Sequence, residues 1–168
     1  EPSPLSVMKE EVEEAVRSLP TGKSPGADNI PAELLKNGGE ALVTAITSIC
    51  QKIWETKQWP TEWTQSLIIP LPKKGNLRQC QNYRTISLIS HASKIMLRVI
   101  LNRLKKEAEE HLAEEQAGFR AGGSTVEQIF SCRILMERHL QHQRDLLHNF
   151  IDFKKAFDRV WHEGLWQV

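Results

Sequence analysis

The sequence predicts an α/β fold in which helices predominate. Three observations carry that reading: four segments whose apolar residues recur at helical spacing, two short β-branched runs joined by turn residues, and a lone apolar run near the C-terminus, FIDF.

Taken in order, residues 6 to 19 place Val12, Val16 and Leu19 on one face of a helix, with Ser6 as its N-cap, and Pro20 stops it. The stretch TGKSPGADNIP is dense in breakers and turn formers and must be a loop. Ile30-Pro31 opens a short helix through Leu34 and Leu35 that breaks at Asn37-Gly38-Gly39. A longer helix from about Glu40 to Thr56 aligns Leu42, Ile46, Ile49 and Ile53 and ends at Trp59-Pro60. Ser66 to Leu71 and Thr85 to Ser90 are β-like runs around the turn chemistry of Lys73-Lys74-Gly75-Asn76, which predicts a hairpin or a looser antiparallel pair, and Pro70 and Pro72 push its first strand to an edge. Residues 91 to 113 form the clearest helix, its buried stripe being Ile95, Val99 or Leu97, Leu101, Leu104, Ala108 and Leu112. After the loop QAGFRAGGS, Ser124 caps a helix from about Thr125 to His148 carrying Ile129, Cys132, Leu135 and Leu140. Asn149 to Phe153 then reads as a short buried strand that delivers Asp152.

A chain of 168 residues, 40% hydrophobic and 26% charged, has the means for a core and is not compositionally disordered. Cys50, Cys80 and Cys132 are widely spaced, which predicts free thiols in a reducing, intracellular setting, nuclear or cytoplasmic, rather than a zinc site. No apolar run approaches the length of a membrane span, and the acidic N-terminal stretch is not a secretory signal. The chain starts at Glu and closes on Trp-Gln-Val just after a helix-like segment, which predicts an excerpt of a longer protein. Net charge is only +1, but its distribution is uneven: Trp63 to Lys106 contains no Asp or Glu and holds nine cations, Lys73, Lys74, Arg78, Arg84, Lys94, Arg98, Arg103, Lys105 and Lys106. An acid-free basic middle in an otherwise acidic chain suits a polyanion, nucleic acid or nucleotide, although solvated helix faces give the same count.

Asp152 poses the chemical question. An ionised carboxylate buried without a partner costs several kcal/mol, so a strand carrying Phe150, Ile151, Asp152 and Phe153 requires a cation, backbone donors or water at that position. Two answers stand open: Asp152 caps the helix that contains Phe157, or it holds a hard divalent cation through oxygen. The basic block and the spacing D-x-x-x-A-F favour the second, as part of a nucleotidyl-transfer site.

The stretch FIDFKKAFDRVWHEGLW resembles the first catalytic carboxylate motif of reverse transcriptases encoded by non-LTR (LINE-type) retrotransposons. GKSPGADNIPAELLK, WPTEWTQSLIIPLPKKG with NYRTISLIS, and QAGFRAGGSTVEQI are similar to the family's preceding motifs, in family order, so the resemblance covers about residues 7 to 168. It implies the fingers and partial palm of a right-hand polymerase fold, truncated, with 1–168 as a single unit: about 1–148 as fingers and connection, and 149–168 as the start of the palm. It also implies partners, namely an RNA template, a DNA primer or target and deoxynucleoside triphosphates, with Mg²⁺ as the cofactor of the complete enzyme and no membrane; oligomeric state is left open.

Residue by residue, the resemblance implies that Asp152 is a metal-binding palm carboxylate and that the Phe153 carbonyl adds an oxygen ligand. Phe157 would be the gate that excludes a ribose 2′-hydroxyl, while simple core packing is the plainer role for the same ring. Lys73 and Lys74, unranked, and Arg84 would cradle the triphosphate. Gln116, Phe119 and Arg120 would lie near template or primer, with Phe119 equally readable as core, and Asp158 is expected in an ion pair or on a helix surface, apart from Asp152's metal. Thr85, Gly123, Ala27 and Asn29 depart from the family's usual proline, arginine, proline and glycine, and Asn29 suits a positive φ. The family's site needs a further pair of adjacent carboxylates, and the chain contains no Asp-Asp. The expectation is therefore a fragment of an RNA-directed DNA polymerase, inactive alone; the alternative is a non-catalytic nucleic-acid-binding or protein-interaction product of a truncated or domesticated element.

Overall fold

In the computed structural model, which describes residues 6–167, α1 (Lys9–Arg17), α2 (Ala32–Asn37) and α3 (Gly39–Thr56) are followed by the hairpin β1 (Leu67–Pro72) and β2 (Tyr83–Leu88), then α4 (His91–His111), α5 (Thr125–Gln141) and the short α6 (His162–Leu165). Residues 1–5 and 168, which include the ends of the predicted unit, lie outside the described residues. The chain divides by packing between Leu112 and Ala113. Among the described residues no helix is long and apolar enough to cross a membrane.

The core belongs to the N-terminal unit and is built around α1, which packs on α2, α3 and α4. Val12, Val16 and Leu19 are buried as the spacing predicts, joined by Val7, Ala15, Ile46, Cys50, Ile53, Ile95, Met96 and Val99. The start of α1 differs from expectation. Ser6 is not its cap: the helix begins at Lys9, and the Met8 N–H donates to the Glu11 carboxylate at 2.9 Å. The Ser6 carbonyl instead accepts from Arg103 at 2.9 Å. On α3 the inward face is Ile46, Thr47, Cys50 and Ile53, whereas Ile49 is 43% exposed. That helix ends at Lys57, which takes a left-handed conformation (φ 57°) and whose N–H donates to the Ile53 carbonyl at 2.9 Å, ahead of Trp59-Pro60.

Arg103 fastens α4 to α1. Its guanidinium donates to both carboxylate oxygens of Glu11, at 2.7 and 2.6 Å, and lies 4.8 Å above the Trp54 ring. Each partner moves the other's ionisation: the Arg103 hydrogen bonds hold the Glu11 carboxyl below its usual 4.5, and Glu11 raises Arg103. A second junction ties the 20–31 loop to the start of α4. Ser90 caps α4 and donates to Asp28 at 2.6 Å, while Gly26 lies so close that a Cβ there would sit 2.6 Å from the backbone of Ile89 and Ser90. Only glycine permits that approach. Asn29 has φ 54°, as expected of an Asn in the family's glycine position.

The hairpin is antiparallel, with Leu67 opposite Leu88 and Pro72 opposite Tyr83, and every β1 residue is exposed. The rest of the predicted stripe on α4 is also exposed, Leu97, Leu101, Leu104 and Leu112 among it, so the helix buries only its N-terminal half, through Val99.

In the C-terminal unit no described residue is buried. Ser124 caps α5 in a capping box with Glu127, as predicted. That helix stops at Gln141, not His148, and Ile129, Leu135 and Leu140 are exposed while Cys132 is half-buried. The predicted strand from Asn149 to Phe153 does not form: the segment is irregular, and Phe150, Ile151 and Phe153 are 75–85% exposed. A strand needs a ladder partner for its N–H and C=O groups, and the only sheet among the described residues is the β1–β2 pair.

Two outcomes are expected. Because Glu11 has a lowered carboxyl pKa, its contribution to stability is present above pH 4.5 and lost as the pH falls through the folded-state value. Glu11→Gln should cost about 1–2 kcal/mol at neutral pH in urea unfolding, and the gap to the parent chain should narrow below pH 4.5. For the thiols, burial pushes Cys50 up to about 11, while Cys80 is exposed. Iodoacetamide at neutral pH should label Cys80 quickly and Cys50 only on unfolding, read by peptide mass mapping.

Candidate nucleotide and nucleic-acid site

The hairpin presents its cations from a loop held by its own polar groups. The Lys73 N–H donates to the Asn82 carbonyl at 2.7 Å, and the Asn82 side-chain amide donates to the Asn76 carbonyl at 2.7 Å. The Tyr83 hydroxyl donates to the Leu77 carbonyl at 3.0 Å, and the Asn76 side-chain oxygen accepts the Arg78 N–H at 2.9 Å. Gly75 (φ 120°) supplies a backbone conformation that an L side chain rarely adopts. Lys73 and Lys74 sit where β1 enters this loop, exposed, and Arg84 lies on β2 directly across from Leu71. The structure thus brings Lys73, Lys74 and Arg84 to one end of one hairpin. No acidic residue stands between Trp63 and Lys106, so nothing within that stretch neutralises them.

In the C-terminal unit, Gln116 and Arg120 organise their own loop. The Gln116 amide donates to the Gly118 carbonyl at 3.1 Å, and Arg120 donates to the Ala113 carbonyl at 2.8 Å. Phe119 has φ 61° and is 95% exposed, which rules out the core role. Its ring meets that of Phe157 edge-on, 6.0 Å between centroids. Phe157 opens a 3-10 turn, Phe157–Arg159, and is 78% exposed, so it is not a packed core ring either. Gly123 closes this loop so tightly that a Cβ would fall 2.5 Å from the Ala117 carbonyl oxygen. An arginine in its place would not fit this backbone.

Asp152 is exposed in irregular chain, beside an exposed Phe153. The capping alternative fails, because the turn containing Phe157 is preceded by Ala156 and has no side-chain cap. Asp158 is exposed within that turn and forms no ion pair among the described residues; its N–H donates to the Lys155 carbonyl at 3.1 Å. Among the described residues no group of three or more His, Cys, Asp or Glu side chains converges as metal ligands. The donor set in hand, one carboxylate and one carbonyl, does not compose a two-ion site.

Sequence reasoning missed the junction of Gly26, Asp28 and Ser90, which fixes where the basic helix α4 begins. Its signal was present: a Ser directly before an apolar-periodic segment is an N-cap pattern. It also counted Arg103 among the cations facing a polyanion, whereas that side chain is turned inward to Glu11 and Trp54.

Comparison with known proteins adds the family. The model of the family described as reverse transcriptase (RNA-dependent DNA polymerase) matches residues 71–168. Among curated relatives are three from Drosophila melanogaster, of which the probable RNA-directed DNA polymerase from transposon BS is 37% identical over 95% of this chain. The RNA-directed DNA polymerase from mobile element jockey is 31% identical over 96% of it, and the probable RNA-directed DNA polymerase from transposon X-element is 35% identical over 92%. Those alignments cover 18%, 18% and 17% of the relatives, so the chain spans under a fifth of the length of each. The stretch matched by the family model includes the hairpin cations, the loop around Phe119 and Asp152, and the chain belongs to the reverse transcriptase family, of the kind encoded by non-LTR retrotransposons.

Proposed function

We propose that this chain is the fingers and the start of the palm of a right-hand polymerase, whose complete form performs RNA-templated DNA synthesis from deoxynucleoside triphosphates. The observation that carries the proposal is the hairpin end, where Lys73, Lys74 and Arg84 stand exposed in an acid-free stretch on a loop fixed by its own hydrogen bonds. Guanidinium offers a planar fork to phosphate oxygens and lysine a point charge, and a preformed loop spares the ordering cost of bringing them together. Phe157 is assigned as the gate against a ribose 2′-hydroxyl, and its edge contact with Phe119 limits the positions the ring takes up. Gln116 and Arg120 shape the loop that carries Phe119 toward template or primer. Asp152 contributes one carboxylate, for which Mg²⁺ is the ion we assign in the complete enzyme.

This division of labour predicts that the 168-residue chain gives no template-directed primer extension, and that joining it to the later palm of a relative restores synthesis. In the completed protein, Asp152→Asn should remove extension while oligonucleotide affinity stays within about twofold, because it changes charge at constant size. Polymerisation by the unextended chain would defeat the assignment of further carboxylates elsewhere. Binding without extension by the completed protein would favour the non-catalytic alternative.

A separate readout tests the gate. In the completed protein, Phe157→Val should keep deoxynucleotide incorporation within about tenfold and raise ribonucleotide incorporation, because the smaller side chain no longer clashes with a 2′-hydroxyl. Unchanged discrimination would remove Phe157 from that role.

A further inference from the structure

The outer face of α4 carries a second set of cations that the polymerase reading does not use. Lys94, Arg98 and Lys105 are separated by four and seven residues and fall within about 40° of one another around a 3.6-residue helix. Arg103 lies on the opposite side, bonded to Glu11. Arg98 and Lys105 are exposed and Lys94 is half-buried, and none of the three makes an ion pair or side-chain hydrogen bond among the described residues. Beside them runs a groove of about 330 Å³, lined by Leu19 and Pro20 just after α1 and by Lys94, Leu97, Arg98 and Leu101 of α4.

We infer that this face is a track for a single RNA strand, separate from the hairpin end. At 1.5 Å of rise per residue the three cations stand about 6 and 10.5 Å apart along the axis. Phosphates recur about every 3.4 Å along a stacked strand and further apart in a stretched one, so each cation meets a different phosphate of one strand. The apolar lining takes the sugar and base edges on the side away from the phosphates. A helix face that merely keeps a protein in solution mixes both signs. Here the signs are segregated: His91 to Lys106 holds no acid, and the next turns carry Glu107, Glu109 and Glu110. The inference rests on the polymerase reading only in naming the strand as RNA.

The test is a salt series of oligouridine binding, followed by fluorescence anisotropy of the dye-labelled strand, with two variants of this chain. One carries Lys94→Gln, Arg98→Gln and Lys105→Gln; the other carries Lys73→Gln, Lys74→Gln and Arg84→Gln. Three lost phosphate contacts on a single strand should flatten the log–log salt slope of the first variant by about 2, so that its affinity loss between about 50 and 200 mM salt is roughly 20-fold smaller than the parent's. A slope unchanged in the α4 variant and lost only in the hairpin variant overturns the track and leaves the polymerase reading standing. A slope lost only in the α4 variant supports the track and removes the hairpin's role. Glutamine keeps helix propensity, and circular dichroism checks that α4 is retained. If that variant does not fold, photocross-linking of thiouridine-substituted oligouridine to the parent chain decides: adducts on the peptide bearing Leu97 and Leu101 support the track, and adducts confined elsewhere overturn it. Displacement of the strand by an acidic amphipathic peptide of higher affinity would also overturn it, in favour of a protein partner.

Discussion

The N-terminal unit depends on holding α1 against α4, two helices whose contacting residues, Glu11 and Arg103, are 92 positions apart in sequence. Closing so long a loop costs entropy that no local interaction offsets. Two things offset it here: the apolar faces that α1 and α4 bury against each other and α3, and the fork of Arg103 on Glu11 backed by the Trp54 ring. The fork has a specific job. An apolar stripe permits sliding along the helix, whereas a bidentate pair fixes one register, and the same guanidinium also holds the Ser6 carbonyl ahead of α1. Once α4 is placed, Ser90 is placed, and with it the loop that Gly26 and Asp28 dock on the helix start.

The C-terminal unit shows what happens where no such closure exists. The apolar spacing on α5 is real, and the capping box of Ser124 and Glu127 starts the helix where the sequence says it should. Yet nothing on that helix is buried. Local signals act through hydrogen bonds within one turn and so operate regardless of tertiary context. Burial and strand formation need a second surface. FIDF has the composition of a central strand, and without a ladder it is irregular chain with its rings in solvent, Phe150 stacked on His148 at 6.2 Å between centroids.

That difference sets what was legible in the sequence. Helix positions, the hairpin and the Ser124 cap follow from period, capping and turn chemistry, all of them local, while the positive φ of Asn29 follows from the resemblance to a family with glycine there. The predicted α4 stripe was drawn too wide: Leu101, Leu104 and Leu112 lie about 140–160° round the helix from Val99, on the side away from α1, and are exposed. Ser6 was mistaken for a cap because the rule sees a hydroxyl before a helix and not the Glu11 carboxylate that reaches back to Met8. The candidate site's residues are named by motif order alone, which carries no geometry. Of the residues named, sequence alone gave no sign that Gln116 and Arg120 bond to their own loop, or that Phe119 and Phe157 meet ring to ring.

The nine cations of the basic stretch make the same point about charge. A count of nine describes one attractive patch, but helical geometry divides it. On α4 a residue's bearing advances by about 100° per position, so Arg103 faces α1 and is consumed in holding the fold, while Lys94, Arg98 and Lys105 face the other way. The hairpin cations are presented by strand and loop instead, at the loop end of the β1–β2 pair. The nine cations thus fall into an inward-turned residue, Arg103, and outward-facing sets on α4 and the hairpin, all within one acid-free segment. The absence of Asp and Glu from Trp63 to Lys106 is what lets them coexist, because any acid set among them at helical or cross-strand spacing would pair with its neighbour as Glu137 does with Arg133 on α5.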